Sequence, residues 1–250
     1  NAGLPDEEGR YLESPEMIAA VLARFLAEGW LNLIGGCCGT TPEHVREMVR
    51  IAAGSLPRRI PSFRRTFVSG MDLLEIEDSV RPVLVGERTN VLGSRVFKRL
   101  VSEGKFDEAS DIARRQVKNG AQIIDVCLQD PDRNEVEDMK KFLDLVTRKV
   151  RVPLMIDTTD SAVMEEALTY CQGKSILNSI NLEDGEERFQ RVVPLAKHYG
   201  AALIVGMIDE DKQRGMAVSR QRKLEIARRA YHLLVDKYGV APTDLIFDAL

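Results

Sequence analysis

The most constraining feature of this chain is the regular alternation of short apolar runs and amphipathic segments from residue 82 onward. The apolar runs predict strands over 82–85, 122–126, 153–156, 175–177, 201–205 and 245–247. The segments between them have helical spacing, over about 95–102, 107–119, 134–149, 161–172, 186–199 and 219–238. Continuous apolar strands alternating with helices are typical of a parallel sheet covered by helices. Six such strands in series predict an α/β fold, a (β/α)8 TIM barrel more than an open sheet.

Polar side chains recur at or just after the end of each predicted strand. They are Glu87, Arg88 and Asn90 after the first, Asp125 in the second, Asp157 after the third, Asn178, Ser179 and Asn181 after the fourth, Asp209 after the fifth and Asp248 after the sixth. In a (β/α)8 barrel these positions converge on one mouth, where active sites are built. Any one of these residues is better explained as a helix N-cap. Their recurrence at corresponding places predicts an enzyme site.

The residues at this mouth are mainly carboxylates and carboxamides. No Ser-His-Asp or Cys-His set accompanies them, and no glycine-rich phosphate loop is present. His44, His198 and His232 fall within or at the end of predicted helices, so we interpret them as surface or cap histidines. An ionised Asp accepts two parallel hydrogen bonds from an amino-pyrimidine edge, and an Asn both donates and accepts. A pterin is therefore a natural ligand, although spacing alone does not name it.

Composition excludes several classes of function. The chain has 250 residues, of which 44% are hydrophobic and 30% charged, as expected of a soluble globular protein. The net charge of −4 gives no indication of a nucleic-acid partner. No apolar run approaches the roughly 18 residues of a membrane span. Four cysteines, two of them adjacent, without a secretory leader predict a reducing, cytoplasmic compartment.

The first 80 residues follow a different pattern. Apolar spacing predicts a helix over 16–29, a short strand over 31–34 and a second helix from 42 to about 53. Residues 56–80 combine prolines and arginines with little periodicity, which is typical of a linker. The sequence therefore predicts a separate region 1–55, a linker 56–80 and a barrel domain 81–250.

Cys37 and Cys38 stand between paired glycines and the start of the second predicted helix. Adjacent thiols rarely form a disulfide with each other, because one peptide bond holds their Cα atoms closer than a relaxed bridge requires. The flanking glycines let the backbone turn so that both sulfurs face one point. We interpret the pair as metal ligands. The alternative is two small buried hydrophobic residues at a strand end.

Several stretches resemble one known family. GERTNVLGS at 86–94, IDTT at 156–159 and NSI at 178–180 resemble the folate-binding domain of the cobalamin-dependent methionine synthase family. NAGLP at 1–5 and GGCCGTTP at 35–42 are similar to the closing segment of that family's homocysteine-binding barrel. The resemblance covers essentially the whole chain. It implies a pterin-binding TIM barrel with six of its eight strands present, preceded by the C-terminal piece of a second TIM barrel.

The resemblance also implies a reaction. The methyl group of 5-methyltetrahydrofolate passes to cob(I)alamin and then, from methylcobalamin, to homocysteine, which gives tetrahydrofolate and methionine. The cobalamin is carried by a separate domain of the same polypeptide, which is the implied partner. The implied folate contacts are Gly93, Ser94, Arg95, Asp157, Asn178 and Asp248, with Asp157 and Asn178 on the pterin ring. Cys37 and Cys38 are implied to be two of three thiolate ligands of a zinc ion that binds the substrate sulfur.

The chain departs from the family pattern in two places, since Cys127 stands where many members have Asn and Ala249 where proline is usual. We expect a piece of a longer protein, with the third zinc ligand before Asn1 and the last two barrel strands after Leu250. Two other hypotheses remain open. One is a stand-alone pterin enzyme, either a dihydropteroate synthase or a corrinoid methyltransferase. The other is a non-catalytic fragment that binds folate or docks a cobalamin-carrying domain.

Overall fold

A computed structural model describes residues 1–61 and 65–250. The chain forms two compact units, Asn1–Phe63 and Arg64–Leu250. Residues 62–64 of the predicted linker lie outside the described residues. None of the helices in the described ranges is both long and apolar enough to cross a membrane.

The first unit is built on two helices, α1 (Pro15–Ala27) and α2 (Pro42–Ala52), which confirms both helix predictions. Ser14 begins α1, because its hydroxyl accepts a hydrogen bond from the Met17 backbone N–H at 3.4 Å. Thr41 and His44 form a reciprocal cap at the start of α2. The two helices pack against each other through one apolar stripe on each.

The predicted strand at 31–34 is wrong. This segment is extended but has no ladder partner among the described residues of the unit, whose nearest approach to a sheet is the isolated bridge between Pro5 and Tyr11. Leu33 is 89% exposed. The Asn32 side chain instead donates to the Arg58 carbonyl oxygen at 3.0 Å. An apolar run makes a strand only where a neighbouring strand satisfies its backbone.

The second unit begins with a hairpin of β1 (Phe67–Ser69) and β2 (Leu73–Glu75), so the linker prediction is wrong for this part of 56–80. Val68 is fully buried in a small core with side chains from the N-terminal parts of the barrel strands, namely Ile123, Met155, Ile176, Ala202 and Ile204. The Arg151 guanidinium binds Asp72 at 2.8 Å on the same hairpin. The hairpin therefore closes the N-terminal end of the barrel interior.

Six parallel strands follow in chain order across one curled sheet. They are β3 (Val85–Gly86), β4 (Ile123–Val126), β5 (Leu154–Asp157), β6 (Ile176–Leu182), β7 (Ala202–Asp209) and β8 (Leu245–Asp248). The helices are α3 (Arg95–Ser102), α4 (Phe106–Lys118), α5 (Glu135–Val146), α6 (Ser161–Tyr170), α7 (Glu187–Tyr199) and α8 (Arg220–His232). All six strand predictions and all six helix predictions are confirmed in existence and type. In the described ranges β3 and β8 remain edges, so six strands of a TIM barrel are present.

The main core lies between the sheet and its helices. Phe97 of α3 and Phe142 of α5 meet edge to face, with ring centroids 5.1 Å apart, and both are fully buried. Burial of one such side chain stabilises the fold by about 1.5–3 kcal/mol. Strands β6 and β7 are longer than their apolar runs predicted, because Asn178 pairs with Asp157 of β5 and Asp209 pairs with Leu182. Polar residues at the C-terminal ends therefore stand on strands, which fixes their positions.

Candidate functional site

Asn90 lies in the turn after the edge strand β3 and joins two carboxylates. Its amide nitrogen is 3.1 Å from Asp125 Oδ2 and 3.0 Å from Asp157 Oδ2. Its amide oxygen accepts hydrogen bonds from the backbone N–H groups of Leu92 and Gly93, at 2.9 and 3.1 Å. Asn90 thus ties the turn after β3 to the ends of β4 and β5, and it uses both ends of its amide to do so.

The two carboxylates differ in burial, and the pKa of each is raised. Asp125 is 3% exposed, and burial raises its pKa to about 7, while the Asn90 hydrogen bond works in the opposite direction. Asp157 is half-buried, and burial likewise raises its pKa, again opposed by Asn90. Within the described ranges neither carboxylate has an arginine or lysine partner. Two carboxylates without a cation favour a ligand that offers N–H donors or positive charge.

Asp157 and Asn178 are direct neighbours in the sheet, because β5 and β6 pair in a register that sets one against the other. Both line a cavity of about 210 Å³ at the strand ends. Asn178 also borders a second cavity of about 510 Å³ in the barrel interior, which Glu87 and Asp248 share. The structure therefore brings Asp157, Asn178 and Asp248 to one mouth. Asp248 is the most exposed of the three, and it accepts a hydrogen bond from the Leu250 N–H at 2.9 Å.

The Gly93, Ser94 and Arg95 stretch lines a different cavity, of about 560 Å³, together with Arg88 and Arg115. Ser94 is the N-cap of α3, since its hydroxyl accepts from the Phe97 N–H at 3.3 Å. These three residues therefore line neither of the cavities beside Asp157 and Asn178. The turn that contains Asn90 connects them to that mouth. An elongated ligand would be needed to contact both places.

Cys127, the departure from the family pattern, is part of the mouth. It is 1% exposed, and its backbone bonds to Thr89 and Val91 at 3.2 and 3.0 Å. Burial raises the pKa of its thiol to about 12. The nearby thiol lowers the pKa of the Asp157 carboxyl. The Cys127 thiol is itself protonated at neutral pH.

Cys37 and Cys38 lie in the first unit with their sulfurs 3.6 Å apart. Both are exposed, so the interpretation as buried hydrophobic residues is wrong. Two sulfurs about 2.3 Å from a tetrahedral zinc ion lie roughly 3.8 Å apart, so this spacing fits a shared ion. Hydrogen bonding from the Cys38 backbone, and then from its thiol, lowers the pKa of Cys37. No group of three ligating residues occurs in the described ranges, so the zinc role of the pair stays a prediction.

The three histidines have structural contacts, as predicted. His44 Nδ1 accepts from the Thr41 N–H at 3.1 Å, and its Nε2 lies 3.0 Å from the Glu13 carbonyl oxygen. His232 pairs with Asp236 on an exposed helix face, and His198 packs edge to face on Tyr199. The histidines therefore do not add to the carboxylates and carboxamides of the barrel mouth.

Three residues of the mouth were not among the predicted ligand contacts. Asn90 and Asp125 were predicted only as strand-end residues, because the hydrogen bonds that Asn90 makes to Asp125 and Asp157 span 35 and 67 residues of sequence. Arg188 lies inside a predicted helix, and nothing in the local pattern distinguishes it from the other arginines of the chain. In the structure it lines the same 210 Å³ cavity as Asp157 and Asn178.

Two family models match the sequence. Residues 86–250 match the model described as pterin binding enzyme, and residues 1–52 match homocysteine S-methyltransferase. The first match spans the whole sheet from β3 to β8 and all of the mouth residues. The second spans α1, the cysteine pair and α2.

Among solved structures, dihydropteroate synthases have similar folds. The enzyme from Vibrio fischeri is 16% identical, with a TM-score of 0.51 over 74% of this chain and 67% of that one. The Coxiella burnetii enzyme, solved with pteroic acid, is 15% identical, with a TM-score of 0.53 over 73% of this chain and 64% of that one.

The Xanthomonas albilineans enzyme is 16% identical, with a TM-score of 0.51 over 70% and 61% of the two chains. This chain therefore spans about two thirds or less of the length of these structures. Identity at this level shows the shared fold alone. The family match over two thirds of the chain goes further: the chain belongs to the family of pterin binding enzymes.

Proposed function

We propose that this chain is part of a cobalamin-dependent methionine synthase. The single observation that carries the proposal is the tandem in one chain of a homocysteine S-methyltransferase match over 1–52 and a pterin binding match over 86–250. In this function the methyl group of 5-methyltetrahydrofolate is transferred to cob(I)alamin and then to homocysteine. The cobalamin belongs to another domain of the same polypeptide.

The barrel mouth has the chemistry that the pterin end of the folate requires. Asp157 accepts hydrogen bonds from the amino-pyrimidine edge, while Asn178 beside it both donates and accepts. Asp248 borders the same interior cavity as Asn178. Gly93, Ser94 and Arg95 contact the remainder of the folate from their separate cavity, which suits a ligand much longer than its pterin ring.

The charge at the mouth also suits methyl transfer. A tertiary amine is a poor leaving group, so transfer from N5 of the folate requires positive charge at that nitrogen. Asp125 and Asp157 lie close together without a cationic partner in the described ranges, so their field favours a protonated ligand. Asp125, whose pKa is raised to about 7, can exchange a proton with the ligand near neutral pH.

In the first unit, Cys37 and Cys38 would hold zinc together with a ligand outside the described set. Their sulfur spacing of 3.6 Å and the lowered pKa of Cys37 support that role. Zinc, when bound, would lower the pKa of the homocysteine thiol. Three protein ligands with one open position is the arrangement of catalytic zinc sites.

The main alternative is a dihydropteroate synthase, which the fold of the solved structures allows. The match of residues 1–52 to homocysteine S-methyltransferase is the observation against it. A non-catalytic folate-binding or docking fragment is the remaining alternative, and activity separates it from the two enzymes.

The test is an assay of this chain with 5-methyltetrahydrofolate and reduced cobalamin, followed by the visible spectrum of methylcobalamin. We expect methylcobalamin and tetrahydrofolate to form in equal amounts, and the Asp157→Asn variant to lose this activity. Parallel reactions with the dihydropteroate synthase substrates test the alternative. Formation of dihydropteroate without methylcobalamin would overturn the proposal, and inactivity in both assays would support the fragment without catalysis.

A further inference from the structure

The Arg188 side chain joins the two strand ends that carry Asp157 and Asn178. Its Nε donates to the Ser179 carbonyl oxygen at 2.9 Å, and one terminal nitrogen donates to the Thr158 carbonyl oxygen at 3.0 Å. The other terminal nitrogen donates to the Thr159 carbonyl oxygen. One guanidinium from α7 thus binds three backbone carbonyls from two neighbouring strands.

This use of an arginine differs from that of other partly buried arginines in the unit. Arg133 and Arg222 each bind a buried carboxylate, on Asp138 and Asp209. Arg188 is also half-buried, and burial lowers its pKa, yet it has no carboxylate partner within ion-pair distance in the described ranges. A half-buried charge costs free energy unless its donors are satisfied, and here backbone carbonyls satisfy them.

Two of the three carbonyls belong to the residues that directly follow the site residues. Thr158 follows Asp157 in the chain, and Ser179 follows Asn178. The Thr158 N–H already donates to the Asn178 carbonyl oxygen at 3.2 Å, so the guanidinium adds a second connection between the same two strand ends. The fork of five rigidly placed N–H donors fixes both the distance and the relative tilt of the acceptors. A lysine could not do the same, since its ammonium lacks that fork.

We propose that Arg188 is a positioning residue that sets the spacing of Asp157 and Asn178 for the pterin ring. The inference rests on the proposed function only in that 5-methyltetrahydrofolate is the probe. Arg188 acts through the backbone that follows Asp157 and Asn178 rather than through contact with the ligand. A displacement of about 1 Å in a binding constellation costs up to about 100-fold, so the connection is expected to affect affinity more than fold.

Arg191 provides a matched control. It lies on the same helix, one turn further on, and pairs with Glu187 at 3.3 Å in solvent, away from the mouth. Arg188→Ala, Arg188→Lys and Arg191→Ala are compared with the unsubstituted chain by calorimetric titration of 5-methyltetrahydrofolate and by thermal unfolding. We expect about 10- to 100-fold weaker binding for Arg188→Ala, partial recovery in Arg188→Lys and unchanged binding for Arg191→Ala.

Chemical rescue distinguishes positioning from a general loss of stability. Methylguanidinium added to Arg188→Ala should restore affinity in a saturable manner and leave Arg191→Ala unaffected. Binding by Arg188→Ala within twofold of the unsubstituted chain would overturn the inference. So would weaker binding that methylguanidinium does not restore, because that result indicates a structural role only.

A second readout does not depend on the ligand. Hydrogen exchange of the backbone amides in 157–160 and 178–181 should accelerate in Arg188→Ala and not in Arg191→Ala. Unchanged exchange in both segments would also overturn the inference. If the unsubstituted chain fails to bind 5-methyltetrahydrofolate while exchange responds as expected, the proposed function fails and the positioning role stands.

Discussion

The two polar sites of this molecule are built in opposite ways. Cys37 and Cys38 are exposed, on a turn between extended chain and a helix, and no third ligating residue joins them in the described ranges. Asp125 and Asp157 stand on strands, and Asn90 binds both carboxylates with one nitrogen. The first site lies on a turn whose Cys38 carbonyl oxygen accepts a hydrogen bond from the Ala2 N–H at 3.0 Å, whereas the second is held by side-chain contacts that link the ends of three strands. The fold thereby tolerates the repulsion between two adjacent carboxylates that have no cationic partner in the described ranges.

The largest expected contrast is in thiol reactivity. The pKa of Cys37 is lowered by hydrogen bonding to Cys38, whereas burial raises that of Cys127 to about 12. Because only the thiolate is nucleophilic, an ordinary thiol of pKa near 9 exceeds Cys127 about 1000-fold in thiolate fraction at neutral pH, before burial slows access further. Alkylation of the native chain, mapped by mass spectrometry, should modify Cys37 and Cys38 and spare Cys127 until denaturant is added. Equal labelling of all three cysteines in the native chain would contradict the predicted difference in thiol reactivity.

The pH dependence of stability is the next largest effect. In the folded chain burial raises the pKa of Asp125 to about 7, from 3.8 for an Asp in the unfolded chain, so between these pH values the fold retains a proton that the unfolded chain has released. Asp125 therefore makes its full contribution to the free energy of unfolding below pH 4. This contribution falls by about 4 kcal/mol as the pH rises to 7.

The Asp125→Asn variant removes this titration and still offers an oxygen to Asn90. Urea unfolding followed by circular dichroism at pH 4 to 7 should show the unsubstituted chain losing stability relative to the variant. Parallel pH profiles for the two proteins would mean that the Asp125 carboxyl is not destabilised by burial. Asp144→Asn, at an exposed helical pair with Arg148, is the control and should leave the profile unchanged.

Removal of the shared donor should have an intermediate effect. In Asn90→Ala both carboxylates lose a hydrogen bond, and the Leu92 and Gly93 amides lose their acceptor. Bonds to charged groups contribute about 1.5–3 kcal/mol each, so we expect unfolding free energy at pH 7 to fall by roughly 2 kcal/mol or more. Asn119→Ala, at the exposed end of α4, should change it by less than about 0.5 kcal/mol. An equal effect of the two substitutions would refute the bridging role of Asn90.

The smallest effect concerns Cys127. Cys127→Ala removes one buried sulfur, for a cost of about 1 kcal/mol in unfolding free energy. Because the thiol lowers the pKa of Asp157, its loss should move the pH dependence of ligand binding to higher pH. Cys171→Ala, at a partly buried thiol beyond the C-terminal end of α6, should lower stability without moving the pH dependence. A shift in both variants would show that Cys127 has no special relation to Asp157.

The sequence predicted the barrel strands because each is a continuous apolar run, and it located Asp157 and Asn178 because the strand-end rule needs only local order. The strand at 31–34 failed for a physical reason: hydropathy does not show whether a partner strand exists. The hairpin at 67–75 was missed because three-residue strands are too short to produce a period. The roles of Asn90 and Arg188 were not predicted, because they come from contacts between elements distant in the chain, which no local pattern encodes.

The most direct test is calorimetric titration of this chain with 5-methyltetrahydrofolate, alongside Asp157→Ala. We predict one binding site per chain in the unsubstituted protein and a loss of about 100-fold or more in affinity in the variant, since a charged acceptor is removed from the pterin edge. Equal affinity of the two proteins would show that the mouth formed by Asp157 and Asn178 is not where this protein binds its pterin.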